Sequence, residues 1–178
     1  MAVLSVAGTA KPGALDALAW QRAALDSGQW LRLLTAHAAH LSLHHLLFNL
    51  IGLLLIAELL LERWRSADIA ALGLVSALGT SLLLWHGAPG LQWYAGLSGL
   101  LHGLWGGAAL TGCLLAQGWL YVGALLALAV KLVWLNPAVV SAGDGPAMPV
   151  VAVAHLYGAA SGLGWAMVAR IGRRRHLD

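Results

Sequence analysis

A chain of 178 residues is long enough for one compact domain or one helical bundle. Hydrophobic residues make up 60% and charged residues 10%, against roughly 45–50% and 25% in soluble globular proteins. This composition leaves too few polar side chains to cover a water-facing surface. The net charge of +3 comes from 10 Lys+Arg against 7 Asp+Glu that are clustered rather than spread over a face, which excludes a nucleic-acid-binding surface.

Met1 to Ala10 is apolar but too short to span a bilayer, and with no charged segment before it no cleavable signal peptide is expected. Residues 11–35 mix Lys11, Asp16, Arg22, Asp26 and Arg32 with Leu, Ala and Trp. Leu15, Leu18, Ala19 and Leu25 give a partly amphipathic helix, expected in the membrane interface with Trp20 and Trp30 as anchors. Residues 1–42 therefore read as an N-terminal tail with interfacial loop and helices.

Five Leu- and Ala-rich runs follow, at about 43–61, 67–86, 97–116, 119–135 and 149–170, each near the roughly 20 residues a bilayer needs. They are continuous rather than alternating, so a membrane β-barrel is excluded. The predicted fold class is all-α, a polytopic transmembrane helix bundle with five clear spans and its core over 43–170. Between the runs lie Glu62-Arg63-Trp64-Arg65, then His86-Gly87-Ala88-Pro89-Gly90, then Gln117-Gly118, and then Asn136-Pro137 with the loop 141–146. Arg170, Arg173, Arg174 and Arg175 close the chain, and 171–178 is predicted to be a basic cytoplasmic tail. Five spans then put Arg63 and Arg65 in the cytoplasm as well. The single cysteine, Cys113, excludes an intramolecular disulfide and any multi-cysteine metal site; it sits among small apolar residues and reads as packing.

Polar groups inside apolar runs are costly, so each needs a reason. His45 and Asn49 fall at i and i+4 on one helix face, with His37, His40 and His44 nearby. Four histidines within nine residues suggest a metal, but neither HExxH nor a neighbouring carboxylate completes a site. His37 and His40 are expected to hold a non-helical loop by hydrogen bonding to backbone.

Ser98 stands in Gly96-Leu97-Ser98-Gly99 at the start of a run, where it is either a helix cap or a nucleophile. The unsatisfied N–H groups of a helix start can also receive a developing oxyanion. His155 opens the last run, before Gly158 and Gly162, and these match Gly99 and Gly103 behind the serine. Small residues on two helices allow close backbone approach in lipid, and that approach would bring the His155 imidazole to the Ser98 hydroxyl as its base. His102, at i+4 from Ser98, is the second candidate base. It ranks below His155 because it points along its own helix; its simpler reading is a helix-packing hydrogen bond.

Three segments together, His45-Leu-Leu-Phe-Asn49, Gly96-Leu-Ser98-Gly99 and His155-Leu-Tyr-Gly158-Ala-Ala-Ser-Gly162, resemble the three signatures of rhomboid intramembrane serine proteases. One such motif is weak; three in the family's order, over about residues 30–170, are specific. The resemblance implies a Ser98–His155 dyad without an aspartate. It also implies His45 and Asn49 as side-chain donors to the oxyanion, beside the Ser98 N–H.

The stretch Gly28-Gln-Trp-Leu-Arg32-Leu-Leu-Thr35-Ala-His37 and the run Trp93-Tyr-Ala-Gly-Leu-Ser98-Gly-Leu-Leu-His102-Gly103 look like the rhombosortase branch. That resemblance implies substrates that are transmembrane or C-terminally tagged proteins, with Gly-Gly before a single span and a basic tail. It also implies a multi-pass protein of the bacterial inner membrane in contact with lipid, and no cofactor. The family's bacterial core has six spans, so either a first span is truncated here to Met1–Ala7 or this member works with five. Two other classes remain, a non-catalytic chaperone for membrane spans and a His-rich small transporter subunit.

Overall fold

The computed structural model describes residues 13–133 and 152–174. The predicted first-span remnant, the 136–146 loop and the end of the basic tail lie outside them.

The N-terminal segment is not one amphipathic helix. Helix α1 (Ala14–Leu18), strand β1 (Trp20–Gln21), and helices α2 (Arg22–Asp26) and α3 (Arg32–Thr35) follow one another as short pieces. β1 pairs antiparallel with β2 (Trp93–Tyr94), Trp20 opposite Tyr94. That pairing turns Trp20 inward. It is fully buried and donates its indole N–H to the Ser81 carbonyl at 3.2 Å, so it is no interface anchor. Trp30 does stay exposed, at 54%. A lone charge explains much of the fit. Arg22 donates Nε–H to Leu91 O, Nη1–H to Trp85 O, and Nη2–H to Leu84 O and Ala88 O. A cation on the orphan carbonyls of a helix C-terminus satisfies them and complements the dipole.

Five longer helices coincide with the five predicted runs. α4 (Leu43–Ile56) continues into a π-helical turn, Ala57–Leu61; α5 is Ser66–Gly87, α6 Ser98–Leu114, α7 Trp119–Val133 and α8 Ala152–Arg174. Among the described residues, Leu43–Leu61 and Ser66–Gly87 alone are long and apolar enough to cross a membrane, not five segments. α6 has 17 residues, α7 has 15, and α8 carries its arginines at the end. α8 also runs through the predicted 170/171 boundary, since cations in a last turn favour helix rather than end it.

The distribution of side chains is that of a protein dissolved in lipid. Leu47, Phe48, Leu54 and Leu59 on α4 and Leu126 and Val130 on α7 face outward. Ser76, Thr80, Ser81, His102 and His155 are buried. Without a hydrophobic drive between helices, association rests on close packing of small residues. α6 is the central helix and packs on α4, α5, α7 and, most extensively, α8. At the α6–α8 crossing a Cβ on Gly158 would overlap the Gly99 carbonyl, and one on Gly162 the Gly103 carbonyl. The paired glycines thus do what their spacing predicted.

Candidate active site

Ser98 is the first residue of α6, and the helix start has no side-chain cap. Its hydroxyl is therefore not spent on capping; Tyr94, in β2 just before it, braces the backbone on either side. Tyr94 donates to Gly96 O at 2.7 Å and accepts from the Gly99 N–H at 3.3 Å. Burial pushes its hydroxyl above the usual tyrosine range, so it stays a donor.

The approach to Ser98 is shaped by Gly96. Its φ of +129° is open to glycine and few others, and its N–H donates to Ala36 O at 2.9 Å. A Cβ there would stand 2.6 Å from His45 Cε1. The His45 ring thus rests on the backbone two residues before Ser98. α4 itself starts at Ser42, whose Oγ accepts the His45 N–H at 3.2 Å, which sets His45 and Asn49 on successive turns. His45 Nδ1 and Asn49 Nδ2 are buried and without a protein hydrogen-bond partner. Ser76 Oγ, His102 Nε2 and Thr111 Oγ1 are buried in the same way, and each unpaired group of this kind needs a physical reason.

His155 lies in the first turn of α8, 7% exposed. The His102 ring stacks on it, with centroids 4.2 Å apart and planes 12° apart. His102 makes no bond to another helix, contrary to the sequence expectation. Its Nδ1 donates to Ser98 O at 2.7 Å, which keeps its proton on Nδ1 and its ring flat against His155. His37, as predicted, holds backbone: Nε2 lies 3.0 Å from Ala77 O and 3.1 Å from Ser81 Oγ. Burial pushes its pKa down to about 4, so it is neutral at pH 7. His40 reaches Ala38 O at 3.2 Å and sets its ring edge-on to His45.

Ser98, His155, His45 and Asn49 all line one cavity of about 830 Å³ between α4, α6 and α7. Four residues from three helices, spread over more than a hundred positions of chain, meet there. Sequence reasoning missed Tyr94 and the cavity role of Lys131. Tyr94 had one signal, an aromatic hydroxyl four residues before the serine; the β1–β2 pair that buries it has none. The chain matches the family model of the Rhomboid domain over residues 27–171. No curated protein matches it.

Proposed function

The chain belongs to the rhomboid family of intramembrane serine proteases, and from that premise we propose that it cleaves membrane-anchored proteins with Ser98 as nucleophile and His155 as general base. The observation that supports this reading is the shared cavity, whose lining includes Ser98, His155, His45 and Asn49. On this reading α6, α7 and α8 cross the membrane beside the two long apolar helices α4 and α5, against which the central α6 and α8 are packed. α6, about 25 Å long at the usual helical rise, is shorter than the roughly 30 Å hydrocarbon core, and on this reading the shortfall lies at its start, with Ser98 below the membrane surface. Arg63, Arg65 and the C-terminal arginines share the cytoplasmic side.

The chemistry is acyl transfer. His155 takes the Ser98 proton as Oγ attacks the scissile carbonyl, and the negative charge passes to the carbonyl oxygen. His45, Asn49 and the N–H groups at the α6 start receive that oxyanion; preorganised donors of this kind act strongly where water is excluded. His155 then protonates the leaving amine, and the acyl-enzyme is resolved by water, regenerating Ser98. If an amine replaces water, the product is a transferred chain instead. The His102 ring positions His155 by stacking.

The substrates are C-terminally tagged exported proteins with Gly-Gly ahead of a single span, supported by the 28–37 and 93–103 sequence runs. Glycines make such a segment easy to unwind. The test is co-expression with a protein carrying a Gly-Gly tag, read by mass. A processed product should appear with the wild type and vanish with Ser98→Ala and with His155→Ala. Processing that persists in Ser98→Ala sinks the proposal, and loss with His102→Ala but not His155→Ala reassigns the base.

A further inference from the structure

α7 brings a continuous face to the cavity. Leu120, Gly123, Ala124, Ala127 and Lys131 stand at helical spacing and all line it, while Val130 and Val133 face outward. Four of the five are apolar or small. The fifth is a lysine, half-buried, on the wall that also holds Ser98 and His155. A lysine near a span end ordinarily snorkels to the interface; this one faces inward. No Asp or Glu lines the cavity among the described residues. An ammonium in a mostly apolar cavity is costly unless an anion meets it.

We propose that Lys131 is a specificity-determining residue that receives a carboxylate of the substrate chain, an Asp or Glu side chain close to the scissile bond. This assignment rests on the protease reading of the same cavity. A substrate strand lying between α4 and α7 with its carbonyl at Ser98 would pass along the small-residue face of α7. One acidic side chain on it then reaches the ammonium while its neighbours contact Gly123, Ala124 and Ala127. A single charge at the end of an apolar groove thereby fixes the register of the strand, and so which peptide bond meets Ser98. A substrate carboxylate is favoured over a lipid phosphate because Lys131 lies on the wall of the reaction cavity itself.

The test uses the full-length protein in liposomes and a set of membrane-anchored reporters with Gly-Gly before one span. Asp, Asn or Lys is placed singly at each of the positions flanking Gly-Gly. The wild type should cut an Asp reporter at one or two positions faster than its Asn partner by about tenfold in kcat/KM, the lower end for a hydrogen bond to a charged group. Lys131→Met should cut both at the slower, equal rate, and Lys131→Glu should prefer the Lys reporter at the same position.

A charge preference that survives Lys131→Met overturns the assignment, as does the absence of any preference in the wild type. If Lys131→Met alters only the response to added phosphatidylglycerol, the ammonium serves lipid and the assignment fails. If Asp144→Asn reproduces Lys131→Met, the anion is the chain's own and it fails again. Cleavage that continues in Ser98→Ala, or no cleavage of any reporter, removes the protease reading instead.

Discussion

Replacing Gly158 by alanine tests whether the α6–α8 crossing is what assembles the site. The added Cβ would lie on the Gly99 carbonyl, a backbone atom that no rotamer change can move away. Restoring ordinary carbon–oxygen contact requires the helices to part by roughly an ångström or more. Gly99 is one residue from Ser98 and Gly158 three from His155, so nearly all of that shift falls on the distance between hydroxyl and imidazole. A 1 Å misplacement costs on the order of 10²-fold in rate, and overpacking a tight interface costs about 1–3 kcal/mol of stability. Gly158→Ala should therefore lose about a hundredfold in kcat/KM on a Gly-Gly reporter while still folding. Gly164→Ala is the control: it lies on the same helix with nothing within 4 Å of its Cβ, and should behave as wild type. Cleavage rates in liposomes and unfolding temperatures in detergent give both readouts. If Gly158→Ala and Gly164→Ala have equal activity and equal stability, the close crossing does not hold the site together.

Three further outcomes follow from single residues. Asn49→Leu should reduce kcat by about 10²–10³-fold, as loss of one oxyanion donor does, yet leave the unfolding temperature unchanged or raised, because it removes a buried donor that has no partner; a marked drop in stability would show the amide to be structural. Tyr94→Phe removes the hydroxyl that joins Gly96 O to the Gly99 N–H on either side of Ser98, and should cost about 1–3 kcal/mol with the Gly99 N–H left buried, measurable by denaturation, together with a fall in kcat. Acidification should destabilise the fold through His37: its folded pKa of about 4 lies below the ordinary 6.5, so its contribution is complete above about pH 6.5 and is lost as pH falls toward 4. The loss is bounded at about 3 kcal/mol. The unfolding temperature of His37→Asn should fall less steeply over that window.

The helices were legible because lipid imposes one solution on long apolar runs: backbone groups must bond within the segment. The same solvent made Ser98, His155, His45 and Asn49 stand out as candidates, since a polar group in such a run has no solvation to fall back on, and all four line one cavity. Gly99–Gly158 contact was legible for a related reason, as matched small residues permit an approach that larger ones forbid. What could not be read depends on long-range pairing without periodicity. Trp20 looks like an interface anchor in a partly amphipathic stretch; it is buried because β1 meets β2 some seventy residues away. Arg22 looks like one charge among several, and only the fold brings four carbonyls to it.

These two misread residues bear directly on Ser98. Trp20 pairs with Tyr94, the Tyr94 hydroxyl joins Gly96 O and the Gly99 N–H on either side of Ser98, and Arg22 fixes the C-terminus of α5 and the loop at Leu91 that leads into β2. Ser98 is thus held from its N-terminal side by the short segments before α4, while α8, which carries His155, packs against α6 from the other side. The two supports are independent: one is a hydrogen-bonded clip made in the loop region, the other a contact of glycines within the apolar bundle. Weakening the clip, as in Arg22→Met, should loosen Ser98 without moving α8, so kcat should fall while the stability of the α6–α8 pair, read by protection of its amides from exchange, is kept. Gly158→Ala should also lower activity, but by a different route, exposing those amides first.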